Sequence, residues 1–424
     1  MRLIHTSDWH LGHRLHDHSR REEHQVFLDW LLDTIGEREV DALLIAGDLY
    51  HSPNPPTEAE SMFYDFVYQA KQRHPALQIV VIGGNHDSPA RLEVPRPLMR
   101  RMGVHIIGRL PRRTDERTLN PERLLIPLKG KTGVEGWVVA LPYLRPADLP
   151  VLHPRPEEPL IAGMHQVYQQ AFTLAREHRH SEQALILMAH CQMSEGRLSS
   201  ESERPIMGTH GGLERAVFPS EVTYAALGHL HLAQRVGGEE RIRYSGSPLP
   251  LSVAERDYEH QVLLVETEGA ALRSVDTLLT PRPVDFIRIP ESAAAPHPSL
   301  DELLTALEEL PPRDQAVSDW RRPFLWLELA LSAPDPGFRD KILHALDDRS
   351  PRLIRLRHTV PKLRESLADQ QLQSFSLQTL DEEEVFCRFW QSHGERTLGE
   401  RPPEKLLRTF RELLNSIDSQ RSDP

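Results

Sequence analysis

Cysteine is scarce: the 424-residue chain holds two, Cys191 and Cys387. So far apart, they offer neither a disulfide framework nor a thiolate metal motif, and they suit a reducing cytoplasm. Long apolar runs are also missing, and none approaches the ~18 residues of a membrane span. The first residues, MRLIHTSDWH, lack the basic-then-apolar pattern of a signal peptide. Positive charge is in deficit, with 50 Lys and Arg against 62 Asp and Glu, for a formal net charge of -12. Such a chain does not coat nucleic acid by bulk electrostatics, so a polyanionic substrate must be met by a local basic patch or by bound cations. No internal repeat of fixed period is visible. These absences leave the expectation of a soluble, cytoplasmic protein without membrane association, long enough for two to three domains. Histidine is abundant, at 23 residues, and its positions matter more than its number.

The first half alternates short apolar runs with amphipathic stretches, which predicts an α/β layout with a largely parallel sheet. Leu3-Ile4 begins a strand, residues 20–36 carry Val26, Phe27, Trp30, Leu31 and Ile35 at helical spacing, and ALLIAGD (42–48) is a second strand. A helix over 57–73 is expected to open with a Thr57/Glu60 capping box and to bury Met62, Phe63, Phe66, Val67 and Ala70. VVIGG (80–84) is a third strand, ended by glycines that let the backbone turn sharply. Further strands are readable at 136–144, 184–190, 223–229, 241–246 and 261–266, and the turn at Gly237-Gly238 points to hairpins and a mixed sheet. Near residue 281 the chain becomes Pro-rich, after which strands at 286–290, 324–331 and 351–358 alternate with two helices, one opened by a Ser299/Glu302 capping box and one by Pro336. The expected division is therefore 1–280, a small α+β module over 281–365, and 366–424, a polar linker and two amphipathic helices. The apolar faces of those helices carry Val385, Phe386, Phe389 and Trp390, then Leu406, Leu407, Phe410, Leu413, Leu414 and Ile417.

The strand exits hold residues that can bind metal. TSDWHLGH places Asp8 and His10 after the first strand, with Trp9 pointing away in an extended segment, and GDLYH places Asp48 after the second. GNHD adds Asn85, His86 and Asp87, MAHC adds His190, and ALGHLH adds His229 and His231. Ligands gather at the carboxyl ends of strands in open α/β sheets. Oxygen donors mixed with imidazoles suit Mn²⁺, Fe²⁺ or Zn²⁺. Two ions ~3.5 to 4 Å apart repel each other, and a shared carboxylate, the natural role for Asp48, offsets that repulsion. Singly, each element has an ordinary reading as a turn, a helix cap or a surface histidine.

Taken together, D-x-H, G-D, G-N-H-D, H and G-H-x-H in this order resemble the signature of the calcineurin-like metallophosphoesterases. Within that superfamily the stretches GDLYHSPNPP, GGNHDSPARL, SSESER, YAALGHLHLAQRVGG and RYSGSPLPLS are similar to the SbcD family of bacterial nuclease subunits over roughly the first 270 residues. The resemblance implies a phosphoesterase core of mixed sheets flanked by helices, then a capping domain and C-terminal helices. It implies two divalent metal ions, most readily Mn²⁺, one held by Asp8, His10, Asp48 and His231 and the other by Asp48, Asn85, His190 and His229. It further implies that an activated water attacks the phosphodiester, that His86 protonates the leaving oxygen and that Asp87 orients the His86 ring. His51, Tyr244, Ser245 and Ser247 are expected to line the substrate site, with Gly246 beside them. The chain departs from the family at Val253, where Phe is frequent, and near His260, where Lys is frequent.

The activity so implied is a double-strand 3'-5' exonuclease and single-strand or hairpin endonuclease of DNA repair and recombination. Its partners would be DNA and an SbcC-type, SMC-like ATPase bound by the terminal helices, with a homodimer inside a heterotetramer formed through the helices at 20–36 and 57–73. A segment without acidic residues, 349–364, carries Arg352, Arg355, Arg357, Lys362 and Arg364 and could neutralise DNA phosphates. The alternatives are a solvated strand edge for that segment, and a phosphoesterase of small molecules or phosphoproteins for the whole chain.

Overall fold

The computed structural model describes residues 1–113, 118–130, 132–152, 156, 158–197, 212–292, 295–333, 335–359, 406, 407 and 410. By contacts the chain divides into Met1–Thr359 and Val360–Pro424. The segment SSESER, the expected linker and nearly all of the two terminal helices, with Lys362, Arg364 and Cys387, lie outside the described residues.

Two six-stranded sheets, rather than one, form the centre of the first unit. One runs in the order Ala271–Leu279, Gln261–Glu268, Arg2–Thr6, Ala42–Ala46, Gln78–Ile82, Val104–Ile107. Its last four strands are parallel, and the first two form an antiparallel hairpin on its edge. The second runs in the order Gln234–Arg235, Ile242–Tyr244, Tyr224–Gly228, Ala184–His190, Gly133–Leu141, Leu125–Gly130, with hairpins at both ends and parallel pairing between. The mixed pairing and the hairpin around Gly237-Gly238 follow the sequence expectation.

The strands read as continuous apolar runs because both of their faces are covered. Leu3, Leu44, Val80 and Ile82 meet Val138, Ala140, Ile186 and Ala226 between the sheets. Ile4, Leu43 and Ile45 pack outward against Phe27 and Leu31 of the helix Arg21–Glu37 and against Phe63 and Phe66 of the helix Thr57–Arg73. Val139, Leu185 and Leu187 do the same against Val167, Tyr168 and Phe172 of Pro159–His178. The result is four layers, helix, sheet, sheet, helix. Each fully buried Val, Leu or Ile contributes roughly 1.5–3 kcal/mol of hydrophobic stabilisation against the entropy of ordering it.

The two sheets approach most closely at one end. A Cβ on Gly228 would stand 2.0 Å from the Ala46 carbonyl oxygen, so only glycine fits, and the loops leaving both sheets are thereby drawn together.

After Val284 the strands Phe286–Ile289, Phe324–Ala330 and Arg352–Thr359 form a small parallel sheet. The helices Leu300–Glu308 and Phe338–Leu346 pack on it through Leu303, Leu307, Ile342 and Leu346, facing Leu325, Leu327 and Leu329. Ser299 and Glu302 make the expected capping box. Two helix starts differ from expectation. Thr57 is already helical and Pro56, extended at the cap position, offers its carbonyl to Ala59 and Glu60, so no side chain caps that helix and Glu60 instead pairs with Arg91. Pro336 precedes its helix, which begins at Phe338 after a Gly337 cap.

Candidate metal centre

The first strand ends at Thr6 and the chain then turns tightly instead of staying extended. Asp8 and His10 have φ of 53° and 47°, the left-handed region that non-glycine residues seldom adopt. Asp48 (φ 49°) and His229 (φ 105°) share this strain. Such backbone persists when its surroundings fix it, and here backbone bonds from Asp8 N to Gly47 O and His10 N to Asp48 O, both 3.0 Å, lock the first loop to the second. Trp9 does point away, into the core between Phe27, Phe63 and Phe66, but it does so through this turn and not through strand alternation.

Asp48 stands in the middle. Its Oδ2 is 3.4 Å from His190 Nε2 and 3.6 Å from His10 Nε2, while Oδ1 accepts 2.8 Å from the backbone N–H of His86. On one side Asp8, His10 and His231 bring ligand atoms together, and on the other Asp8, Asp48 and His190 do. Asn85 Oδ1 lies 2.9 Å from His190 Nε2 and 3.0 Å from His229 Nδ1. All seven residues expected to bind metal thus converge, and all but the half-buried Asn85 are buried.

Their partners fix which nitrogen is presented. His190 Nδ1 donates to the Ala46 carbonyl (2.9 Å), which leaves Nε2 facing Asp48. His231 Nδ1 is held by the buried carboxylate of Glu255 at 3.0 Å, which leaves its Nε2 for the site. Asp8 accepts from Ser7 Oγ (2.5 Å) and from the N–H of His229 (3.1 and 3.2 Å).

The electrostatics fit a cation. Burial pushes the Asp8 carboxyl up, against the pull of His190 and His231. Burial also works against the Asp48 charge, yet His190, His10 and His86 hold it below the usual carboxylate range. Burial drives His10 well below its ordinary value and, with His190 beside it, His229 to about 3, so both rings are neutral donors. His190 is raised to about 9, because Asp48 outweighs the cost of burying its charge. His10 Nε2 and His229 Nε2 are buried without a hydrogen-bond partner. Orphaned imidazole nitrogens around two buried carboxylates, with no thiolate, are a donor set for borderline divalent cations.

Of the other expected site residues, His86 is half-buried at the mouth and its Nδ1 lies 2.9 Å from the His51 carbonyl oxygen. Asp87 does not hold that ring. Its carboxylate accepts from the backbone N–H of Gly84 (2.9 Å), Tyr50 (3.0 Å) and Leu49 (3.2 Å), which ties the second and third loops together. Burial and the nearby Asp48 raise it to about 6 against those three donors. His51 stands beside the centre, 3.3 Å from His10 Nδ1 and stacked on His86.

Three expected substrate contacts face the wrong way. Tyr244 is fully buried, and its hydroxyl donates to Cys191 O (2.7 Å) and accepts from Met193 N (3.0 Å). Ser245, also fully buried, braces Ser7 behind Asp8 at 2.9 Å, and buried Ser247 packs with His260. The strand Ile242–Tyr244 delivers these groups to the rear of the metal pocket, where solvent and substrate do not reach.

Sequence reasoning missed Glu255, Ser7 and Arg145. Arg145 donates to the Asp87 carbonyl (3.0 Å) and lies over Tyr143. None of the three sits in a run that singles it out. Gly84 carried a signal that the sequence reading took only as freedom to turn, and Gly47 carried one that it passed over. A Cβ on Gly84 would meet Asp48 Oδ1 at 2.1 Å, and one on Gly47 would meet His190 Nδ1 at 2.2 Å.

The calcineurin-like phosphoesterase profile matches residues 1–233, the stretch that carries all seven of the residues expected to bind metal. The chain belongs to the calcineurin-like phosphoesterases. A second profile, described as the type 5 capsule protein repressor C-terminal domain, matches residues 282–394. The chain is similar to the SbcD subunit of nuclease SbcCD from Rhodobacter capsulatus, at 38% identity over 85% of this chain and 88% of that one. It is similar as well to the SbcD subunit of the same nuclease from Escherichia coli K12, at 32% identity over 98% of both chains, and from Bacillus subtilis 168, at 30% over 99% of both. It belongs with them to the SbcD family of phosphoesterases. No helix among the described residues is long and apolar enough to cross a membrane.

Proposed function

We propose that the chain is a metal-dependent DNA nuclease that cuts phosphodiester bonds with two divalent ions, most readily Mn²⁺, and works in the cytoplasm with an SbcC-type ATPase. The observation that carries this reading is the convergence of imidazoles from both sides on the buried carboxylates of Asp8 and Asp48. Asp8, His10, Asp48 and His231 would hold one ion, and Asp48, Asn85, His190 and His229 the other. Bound there, the ions would supply Lewis acidity at phosphoryl oxygens and lower the pKa of water. The protein's own part is positional and protonic. Glu255 and the Ala46 carbonyl aim two imidazoles, and the half-buried His86, with Nδ1 held by the His51 carbonyl, is left with Nε2 to protonate the leaving oxygen. Asp87 acts on His86 only through the loop that it ties down.

A basic cleft beside the centre supports nucleic acid as substrate. It has a volume of about 390 Å³, and His13, Arg14, His16, Trp326, Arg355 and Arg357 line it. Arg355 and Arg357 lie 4.5 and 5.1 Å over the Trp326 ring, which fixes their guanidinium groups, although Arg357 also lies 3.7 Å from Glu328. The His13 ring stands 4.6 Å from that of His51, so one residue of the cleft wall packs against the mouth of the metal pocket. Arg352 plays a different part and donates to the carbonyls of Trp320 and Arg322 inside the small module. We assign residues 1–280 to catalysis, 281–365 to capping and DNA contact, and 366–424 to the ATPase partner, with a homodimer inside the complex. The test is cleavage of labelled duplex, single-stranded and hairpin DNA beside an aryl phosphodiester, with and without the ATPase. Metal-dependent cutting of DNA is expected, as a 3'-5' exonuclease on duplex ends and an endonuclease on single strands and hairpins. Turnover of the aryl ester alone in both conditions would replace the reading with that of a small-substrate phosphoesterase.

A further inference from the structure

A second basic cleft lies where the edge strands of the two sheets meet, between Val104–Ile107 and Leu125–Gly130. It encloses about 600 Å³, within the range of small-molecule sites. One wall is the short helix Arg96–Met99 and the turn Arg100–Met102, which contribute Arg96, Arg100 and Arg101; the other, Pro121–Leu124, contributes Arg123. Pro97 supplies exposed apolar surface between them, above the buried Ile106 and Ile126.

Their charges are only partly answered. Glu93 uses one oxygen on the backbone N–H groups of Gly108 and Arg109 and the other on Arg123, at 2.9 Å. That second oxygen lies 3.7 Å from Arg96 Nη1, which is buried and has no hydrogen-bond acceptor. Glu122 also lines the cleft. Among the described residues no ion pair engages Arg100 or Arg101. Arg100 and Lys129 face His105, which burial, then these two cations, lowers to about 4, so the imidazole adds a neutral donor and no charge.

We propose that this cleft binds a nucleoside phosphate, its phosphate held by Arg96, Arg100 and Arg101 and its base or sugar resting on Pro97. Arginine forks match phosphate oxygens in pairs, and Arg100 and Arg101 are exposed on the cleft wall. An apolar floor adds nothing for inorganic phosphate but favours a ring attached to it. The ligand is a free nucleotide or the 5'-phosphorylated end of an oligonucleotide. The site uses none of the residues of the metal centre, so the proposal does not rest on the nuclease reading.

The test is calorimetric titration of the full chain in a chelator, where metal-dependent cleavage plays no part. The probes are inorganic phosphate, deoxyadenosine 5'-monophosphate, and hexathymidylate with and without a 5'-phosphate. Saturable binding of the nucleotide is expected, at least about tenfold tighter than inorganic phosphate and weakened at least about tenfold by Arg100→Ala with Arg101→Ala. Arg100→Lys with Arg101→Lys keeps the charge and loses the forks, and is expected to fall between. A thermal midpoint within a degree or so of the parent for either double variant shows that folding is intact. Tighter binding of the phosphorylated hexamer than of the unphosphorylated one, lost in the double alanine variant, would identify a nucleic-acid end as the ligand, and equal binding of the two hexamers a free nucleotide. Absence of saturable nucleotide binding, equal affinity for nucleotide and inorganic phosphate, or indifference to the double alanine variant would overturn the proposal.

Discussion

At the scale of single residues, the centre separates groups that would hold metal from the one that would move a proton. Asp48→Ala removes the carboxylate lying between His10 and His190; loss of bound metal and of turnover is expected together, checked by metal analysis and cleavage rate. His190 adds a pH dependence. In the metal-free chain it keeps its proton up to about 9, because Asp48 outweighs the burial that alone would lower it. A metal must displace that proton, so affinity is expected to fall as pH drops below about 9, by about tenfold per pH unit for one proton released. His10 and His229 are already neutral and add no slope near neutrality. Titration of metal affinity from pH 6 to 9 checks this, and a flat profile would contradict it. Tyr244→Phe tests the opposite kind of residue. Loss of the hydroxyl leaves Cys191 O and Met193 N unmatched in the core. About 1–3 kcal/mol of stability should go, read from denaturant unfolding, with kcat unchanged.

At the scale of elements, legibility followed apolar periodicity. Strands such as Ala42–Ala46 and Gln78–Ile82 are apolar on both faces because both are buried, and the helices over 21–37 and 57–73 show their buried stripe directly. The residues proposed to bind metal were legible because each ends or follows such a strand. Their turn geometry was not: positive φ at Asp8, His10, Asp48 and His229 reflects long-range bonds between loops that no local pattern encodes. For the same reason Asp87 was assigned to its neighbour His86, whereas its carboxylate reaches backbone in the preceding loop. RYSGSP looked like a wall of the site since it ends a strand near it, and only the packing shows Ser245 and Ser247 behind that wall. The glycines yield a prediction at this scale. Gly84→Ala forces a methyl group onto Asp48 Oδ1 and the Asp48 backbone, so the variant should stay folded by circular dichroism yet lose metal affinity by at least about tenfold.

At the scale of the whole molecule, an acidic chain is assigned a polyanionic substrate, and cations resolve the conflict: metal at the centre and arginines in a local cleft. Arg355→Ala with Arg357→Ala is expected to raise the KM for DNA and reduce the magnitude of its salt slope by about 2, while turnover of an aryl phosphodiester is unchanged. An equal loss on both substrates would mean that the small module supports the fold and does not hold DNA. The metal content and DNA cleavage of His86→Ala, measured side by side with the parent chain after chelation and return of Mn²⁺, test the central claim most directly. The account predicts two ions per chain in both proteins and a loss of cleavage of about 10² to 10⁴ in the variant. Retained cleavage, or loss of the metal with the imidazole, would contradict it.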